Sequence, residues 1–229
     1  MIRIVAVDID GTITYADRRI NLTAVEAIRL LEENGIRVVI STGNILQFSE
    51  AASTMIGTSG PIIAEDGGVV YDQENGIEYV LGDRMDVDRA LSMLMKELPG
   101  VRETRNSRFR VTGATVNRNL DINRIRKILE EKGFRLAVID SGFAIHLRSP
   151  SVNKGNALRK VSEITGIPLE EIAAIGDGPN DVEMLEAAGV SFAVSNSPDE
   201  VKRVTTHVTR GANGSGMVEA ARMILRMNR

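Results

Sequence analysis

Cysteine is absent from the 229 residues, which excludes a disulfide framework, a thiol nucleophile and a thiolate metal site. Histidine occurs only twice, as His146 and His207, without the spacing of a metal-ligand pair. A resident metal must therefore be held by oxygen, and oxygen donors favour magnesium, calcium or manganese over zinc. An excess of one charge is lacking too: 28 Lys and Arg stand against 31 Asp and Glu, for a net charge of −3. That balance argues against nucleic acid or a polybasic membrane contact as partners. No apolar run approaches the length that crosses a bilayer. The amino terminus lacks the basic, apolar and small-residue layout of a signal peptide. The expectation is a cytoplasmic protein with no membrane partner, and a homo-oligomer stays open. The hydrophobic fraction of 43% suits an ordinary globular chain, and the length suits one large domain or two small ones.

What is present begins with a rhythm. Residues 2–7 are almost continuously apolar and predict a buried strand. Thr23 and Glu26 have capping-box spacing, Ala27, Ile28, Leu30 and Leu31 supply a helical stripe, and Gly35 closes that helix. A strand follows at 37–40, a helix at about 45–56 and a strand at 62–64. The rhythm resumes with a helix at 156–164, a strand at 172–175, a helix at 181–188 and a strand at 190–194. His207-Val208 reads as a short edge strand, and a last helix runs over about 217–226. Alternating strands and helices imply right-handed crossovers and a doubly wound, Rossmann-like parallel sheet. The middle breaks the pattern. Helices opened by Asp86 and Asp121 lead into strand-like segments at 108–116, 136–140 and 144–147, a weak repeat of one helix with two strands. The expected organisation is a core of residues 1–82 and 150–229, with residues 83–149 inserted as a smaller α/β module. Such insertions are tolerated at surface loops.

Four sites follow apparent strands or open helices. Asp8-Ile9-Asp10-Gly11-Thr12 ends the first strand with two carboxylates one residue apart, and ligands of open α/β sheets bind at strand carboxyl ends. Asp and Gly after a strand also make an ordinary turn. Phosphoryl transfer needs an in-line nucleophile, a cation for the phosphate oxygens and a proton donor for the leaving group. Asp8 suits the first role and Asp10 the last. Ser41-Thr42-Gly43 offers a hydroxyl and backbone N–H groups to a phosphate oxygen, or simply a loop or cap. Lys154 opens a helix against its dipole, and reads either as a surface lysine or as a counter-ion to phosphate and Asp8. Gly176-Asp177-Gly178-Pro179-Asn180-Asp181 places two acids in a tight turn suited to a hard cation such as magnesium. The other reading is a Gly-Pro-Asn turn that caps a helix.

Taken together, these motifs resemble the haloacid dehalogenase superfamily of phosphatases, in family order and over nearly the whole chain. The inserted module is similar to the α/β cap of the sugar-phosphatase-like branch. The short cap and Glu65-Asp66-Gly67-Gly68 are most similar to archaeal phosphoglycolate phosphatases. The resemblance implies a magnesium-dependent phosphatase that acts on a small phosphorylated metabolite through an aspartyl-phosphate. It implies 2-phosphoglycolate as the foremost substrate, with a sugar-phosphate phosphatase or phosphomutase as the alternative. By motif position it makes Asp8 the nucleophile and a metal ligand, and Asp10 the general acid/base and a ligand through its carbonyl. Thr42, Gly43, Lys154 and Asn180 fall on substrate-binding positions, Asp177 on a metal-ligand position, and Asp181 on a metal position as either a ligand or a support for the ligands. Asn44 stands where many members carry Arg, which disfavours a large polyanionic sugar phosphate. His146-Leu147-Arg148 stands where relatives often place an acid, and His146 reads as structural.

Overall fold

The computed structural model describes residues 1–229. All five residues of strand β1 (Ile4–Asp8) are buried. A central parallel strand meets side chains on both faces, so its sequence is apolar without alternation. It pairs in parallel with β2 (Arg37–Ser41) on one side and with β9 (Ile172–Gly176) on the other. The remaining strands are β3 (Ile62–Ala64), β4 (Val69–Asp72), β5 (Ile77–Val80), β10 (Val190–Ala193) and β11 (His207–Val208), in the spatial order β11-β10-β9-β1-β2-β3-β4-β5. The chain moves outward from β1 in one direction, then restarts beside β1 and moves outward in the other. The reversal lies between β1 and β9, the crevice where doubly wound sheets bind ligands. The doubly wound α/β expectation holds.

Helix α1 (Leu22–Glu33) packs against α8 (Asn213–Met227), and together they cover a core that includes Val5, Val7, Ile28, Leu31, Ile175 and Phe192. Helix α2 (Leu46–Ile56) follows β2, and α7 (Asp199–Lys202) follows β10. Helix α5 (Lys154–Thr165) packs against α6 (Val182–Ala187). No helix is long and apolar enough to cross a membrane.

By compactness the chain divides into Met1–Tyr79 with Asn153–Arg229, and Val80–Val152. The second unit holds α3 (Met85–Glu97), β6 (Gly113–Val116), α4 (Ile122–Glu131), β7 (Ala137–Asp140) and β8 (Ile145–Arg148). Its three strands form an antiparallel sheet in the order β6-β8-β7. Val87, Leu94, Ile125, Leu129, Val138 and Leu147 make its core.

Local chemistry accounts for the departures from expectation. The α1 cap is Asn21, whose side chain accepts from the Ala24 N–H, and Thr23 spends its hydroxyl on Asn21 Oδ1 instead of capping. Asn is the stronger N-cap. Leu30 is exposed rather than part of the stripe. Strands β4 and β5 were not expected; β4 pairs antiparallel with β3, and β5 lies beyond it at the sheet edge. Helix α8 starts at Asn213, four residues early. Its first turn carries Gly214 and Gly216, which weaken a helix signal. A Cβ at Gly216 would lie 2.6 Å from the Gly211 carbonyl oxygen, so the packing demands glycine there. The expected strand over 108–116 is a 3₁₀ turn at Ser107–Phe109 followed by the short β6. Ser107 Oγ accepts from the Thr115 N–H and donates to Glu103, which fixes that turn. The repeat of one helix with two strands is therefore incomplete, since α3 leads into β6 alone.

Candidate active site

The carboxyl end of β1 delivers Asp8 into the crevice beside β9, with its side chain 6% exposed. Lys154 is the first residue of α5, capped by Asn153, whose side chain accepts from the Asn156 N–H. The sequence left open a surface lysine; the side chain is instead 0% exposed. Its Nζ donates to Asp8 Oδ1 at 2.7 Å and to Asp181 Oδ1 at 2.6 Å. A fully buried lysine is rare without such partners. Gly155 lets α5 approach this closely, because a Cβ there would sit 2.3 Å from the Glu183 carbonyl oxygen.

The turn after β9 supplies the other acids. Asp181 Oδ2 accepts the backbone N–H groups of Asp177 at 3.0 Å and Gly178 at 2.9 Å, so the turn is closed on its own carboxylate. Asp177 Oδ1 accepts the Thr12 hydroxyl at 2.8 Å. Gly11, at φ +93°, passes so close that a Cβ would lie 2.3 Å from Asp177 Oδ2. Its carbonyl is held by the side-chain amides of Asn196 and Asn213 at 3.1 and 2.6 Å. Asp10 stands apart from the acid cluster. It accepts from Arg18 Nε at 2.8 Å and from Asn44 Nδ2 at 2.9 Å. The Asn44 amide also donates to Thr42 Oγ1 at 2.9 Å, which ties Thr42 to Asp10. Asn180 donates to Asp66 Oδ1 at 3.1 Å. A Cβ at Gly43 would lie 2.7 Å from that same Asp66 oxygen, so residue 43 must be small.

The electrostatics are those of a site short of positive charge. Asp8, Asp177 and Asp181 hold carboxylate oxygens within 4.8 Å of one another, and the ammonium of Lys154 pairs with two of these acids, Asp8 and Asp181. Burial and the neighbouring Asp181 carboxylate hold Asp8 well above the usual carboxylate range, against the pull of Lys154. Burial and Asp181 likewise push Asp177 up to about 7, despite the Thr12 hydrogen bond. Burial alone would push Lys154 down, but Asp181 and Asp8 outweigh it and hold its proton above the ordinary lysine value. Three clustered carboxylates with surplus negative charge fit a hard divalent cation, which would favour the ionised forms of Asp8 and Asp177.

Asp8, Lys154, Asp177 and Asp181 are thus gathered at one crevice, with Asp10, Thr42 and Gly43 on the adjoining strand ends. Thr12, Arg18, Asn44, Asp66, Asn196 and Asn213 were not singled out for these contacts. Thr12 and Arg18 belong to the loop after β1, and Asp66 to the Glu65-Asp66-Gly67-Gly68 run. The positive φ values of Glu65 (54°) and Asp66 (58°) mark a strained turn that a pattern of residue types does not reveal.

A parallel sheet with its acids at the switch point defines a Rossmann-type α/β enzyme scaffold. A profile of haloacid dehalogenase-like hydrolases matches residues 5–98 and 102–220, and the chain belongs to that family. A protein of Methanothermobacter thermautotrophicus named phosphoglycolate phosphatase is 44% identical over 223 residues, spanning 97% of this chain and 99% of the relative. A protein of the same name from Archaeoglobus fulgidus is 40% identical and spans 96% of each chain. The crystal structure of Thermoplasma acidophilum protein 0175 superposes with a TM-score of 0.90 at 27% identity, covering 98% of this chain and 99% of the other. A haloacid dehalogenase-like hydrolase from Bacteroides thetaiotaomicron shares the fold, with a TM-score of 0.80 at 22% identity over 98% and 100% of the two chains.

Proposed function

We propose that the chain is a magnesium-dependent phosphatase that hydrolyses a small phosphomonoester, 2-phosphoglycolate first, to glycolate and phosphate. One observation carries the mechanism: the buried ammonium of Lys154 bonds Asp8 at 2.7 Å at a strand tip beside two further acids. The relatives' shared name supports the substrate.

In this reading Lys154 holds Oδ1 of Asp8 and orients the carboxylate, and the second oxygen attacks phosphorus. The new bond is an acyl phosphate on Asp8, and the bond that breaks is the ester P–O bond. Asp10 gives a proton to the departing glycolate oxygen, then takes one from the water that attacks the acyl phosphate. Inorganic phosphate leaves and Asp8 is restored. Thr42, Gly43 and Asn180 complete the proposed set around the transferring group. Asn44 keeps Thr42 and Asp10 in register through its two hydrogen bonds. Magnesium, when held by Asp8, Asp177, Asp181 and the Asp10 carbonyl, would draw negative charge from the phosphoryl oxygens. Residues 83–149 are the inserted cap in this reading.

The test is phosphate release from a panel of small phosphomonoesters, with and without magnesium. The expected result is fastest release from 2-phosphoglycolate and none once a chelator removes the cation. No release from any ester, or conversion of a sugar phosphate to its isomer without free phosphate, overturns the reading.

A further inference from the structure

Arg18 sits on the tight loop that leaves Asp10. The loop is closed by a bridge between Thr14 and Ile20 and by hydrogen bonds from the Tyr15 N–H to Arg19 and from the Arg18 N–H to Tyr15, each 2.9 Å. Arg18 adopts φ +66°, a left-handed conformation that non-glycine residues hold where the surroundings or a function impose it. Its guanidinium reaches Asp10 through Nε at 2.8 Å and Nη2 at 3.4 Å, and Nη2 lies 3.4 Å from Asn44 Oδ1. The loop's other arginine, Arg19, pairs with Asp17 at 2.7 Å.

Both oxygens of Asp10 are therefore engaged, by Arg18 and Asn44. A carboxylate that must serve the ester oxygen has to give up one of these partners. The Arg18 pair is the one open to exchange, with its two side chains 41% and 20% exposed, and such pairs are held loosely. A guanidinium fork matches any planar carboxylate. In a phosphorylated 2-hydroxy acid the carboxylate lies one carbon from the ester-bearing oxygen. The two groups to be served are thus neighbours in the substrate, as Arg18 and Asp10 are neighbours in the protein.

We propose that Arg18 binds the carboxylate of the leaving group, taking it in exchange for Asp10 and so freeing Asp10 to face the ester oxygen. The inference rests on the phosphatase reading above and specifies its substrate class: phosphomonoesters with a carboxylate next to the ester carbon.

The experiment compares 2-phosphoglycolate with 2-hydroxyethyl phosphate, which replaces the carboxylate by an alcohol, in the wild type, Arg18→Gln and Arg18→Lys. The wild type prefers phosphoglycolate, and in Arg18→Gln the ratio of the two kcat/KM values falls about 10- to 100-fold, as expected for one lost charged hydrogen-bond pair. The change falls mainly in KM for phosphoglycolate, and Arg18→Lys recovers part of it by keeping the charge without the fork. Turnover of 2-hydroxyethyl phosphate, which keeps the phosphate and lacks only the carboxylate, together with thermal unfolding, reports that each variant is folded. A ratio that stays at the wild-type value, whether both substrates lose rate together or neither does, overturns the inference and leaves Arg18 as a support for Asp10 alone. A wild type without any preference for phosphoglycolate overturns the substrate reading itself and this inference with it.

Discussion

Replacing Lys154 by Met tests the electrostatics of the site more sharply than any active-site knockout. Met keeps most of the length and fills the same buried space, so packing changes little. What is lost is the one ammonium that bonds Asp8 at 2.7 Å and Asp181 at 2.6 Å, all three side chains being nearly or fully buried. Removing one member of a buried ion pair costs about 3–5 kcal/mol, because the remaining charge is left uncompensated. For a chain of this size that is a fall of about 6–20 °C in Tm. The loss must depend on pH. Burial already holds Asp8 well above the usual carboxylate range, and without the ammonium its charged form is harder still to keep. The penalty is therefore larger at pH 8 and shrinks toward pH 5 as Asp8 takes up its proton. The assay is thermal unfolding of metal-free Lys154→Met and wild type at both pH values. A Tm within about 2 °C of wild type at pH 8, less than about 1 kcal/mol, or an equal loss at pH 5 and pH 8, refutes the reasoning.

The metal-free wild type should itself lose stability as pH rises from about 4 to about 7. Asp177 is raised to about 7, so the folded state binds its proton more tightly than the unfolded chain does, and that contribution fades as pH passes the folded value. Added magnesium should therefore raise Tm more at pH 8 than at pH 5; an equal increment at both would count against the acid cluster as its site. Gly11→Ala should cost stability by about 1–3 kcal/mol and weaken magnesium binding, since φ is +93° and the new Cβ would meet Asp177 Oδ2 at 2.3 Å. Unchanged unfolding and unchanged magnesium affinity would show that the contact gives way. Asn153→Ala removes the α5 cap at 2.8 Å and should cost about 1 kcal/mol in denaturant unfolding, with no change of m-value.

Much of the core was legible in the sequence because its signals are local. Buried parallel strands read as apolar runs, and β1, β2, β3, β9 and β10 all fall where such runs stand. Asp8, Asp177 and Asp181 could be nominated because Asp-x-Asp and Gly-Asp-Gly-Pro-Asn-Asp are dense with chemistry at strand ends. Lys154 was ambiguous for a physical reason: burial of a lysine depends on Asp8, 146 residues away, and Asp181, 27 residues away, and nothing in its own neighbours encodes that. The Asp10, Arg18, Asn44 and Thr42 network was missed for the same reason, since it is a set of side-chain contacts between two loops. The β4–β5 pair and the early start of α8 were hidden by glycines, whose meaning comes from close approaches such as Gly216 to Gly211. The 3₁₀ turn at Ser107 was hidden by side-chain hydrogen bonds that replace a ladder.

The central claim is that Asp8 accepts the phosphoryl group. The direct measurement is mass spectrometry of peptides from enzyme mixed with 2-phosphoglycolate and magnesium and quenched in acid within one turnover. The account predicts one added phosphoryl group on the peptide that carries Asp8, absent in Asp8→Asn and absent without the cation. Full-rate phosphate release with Asp8 unmodified, or release that persists in Asp8→Asn, would contradict it.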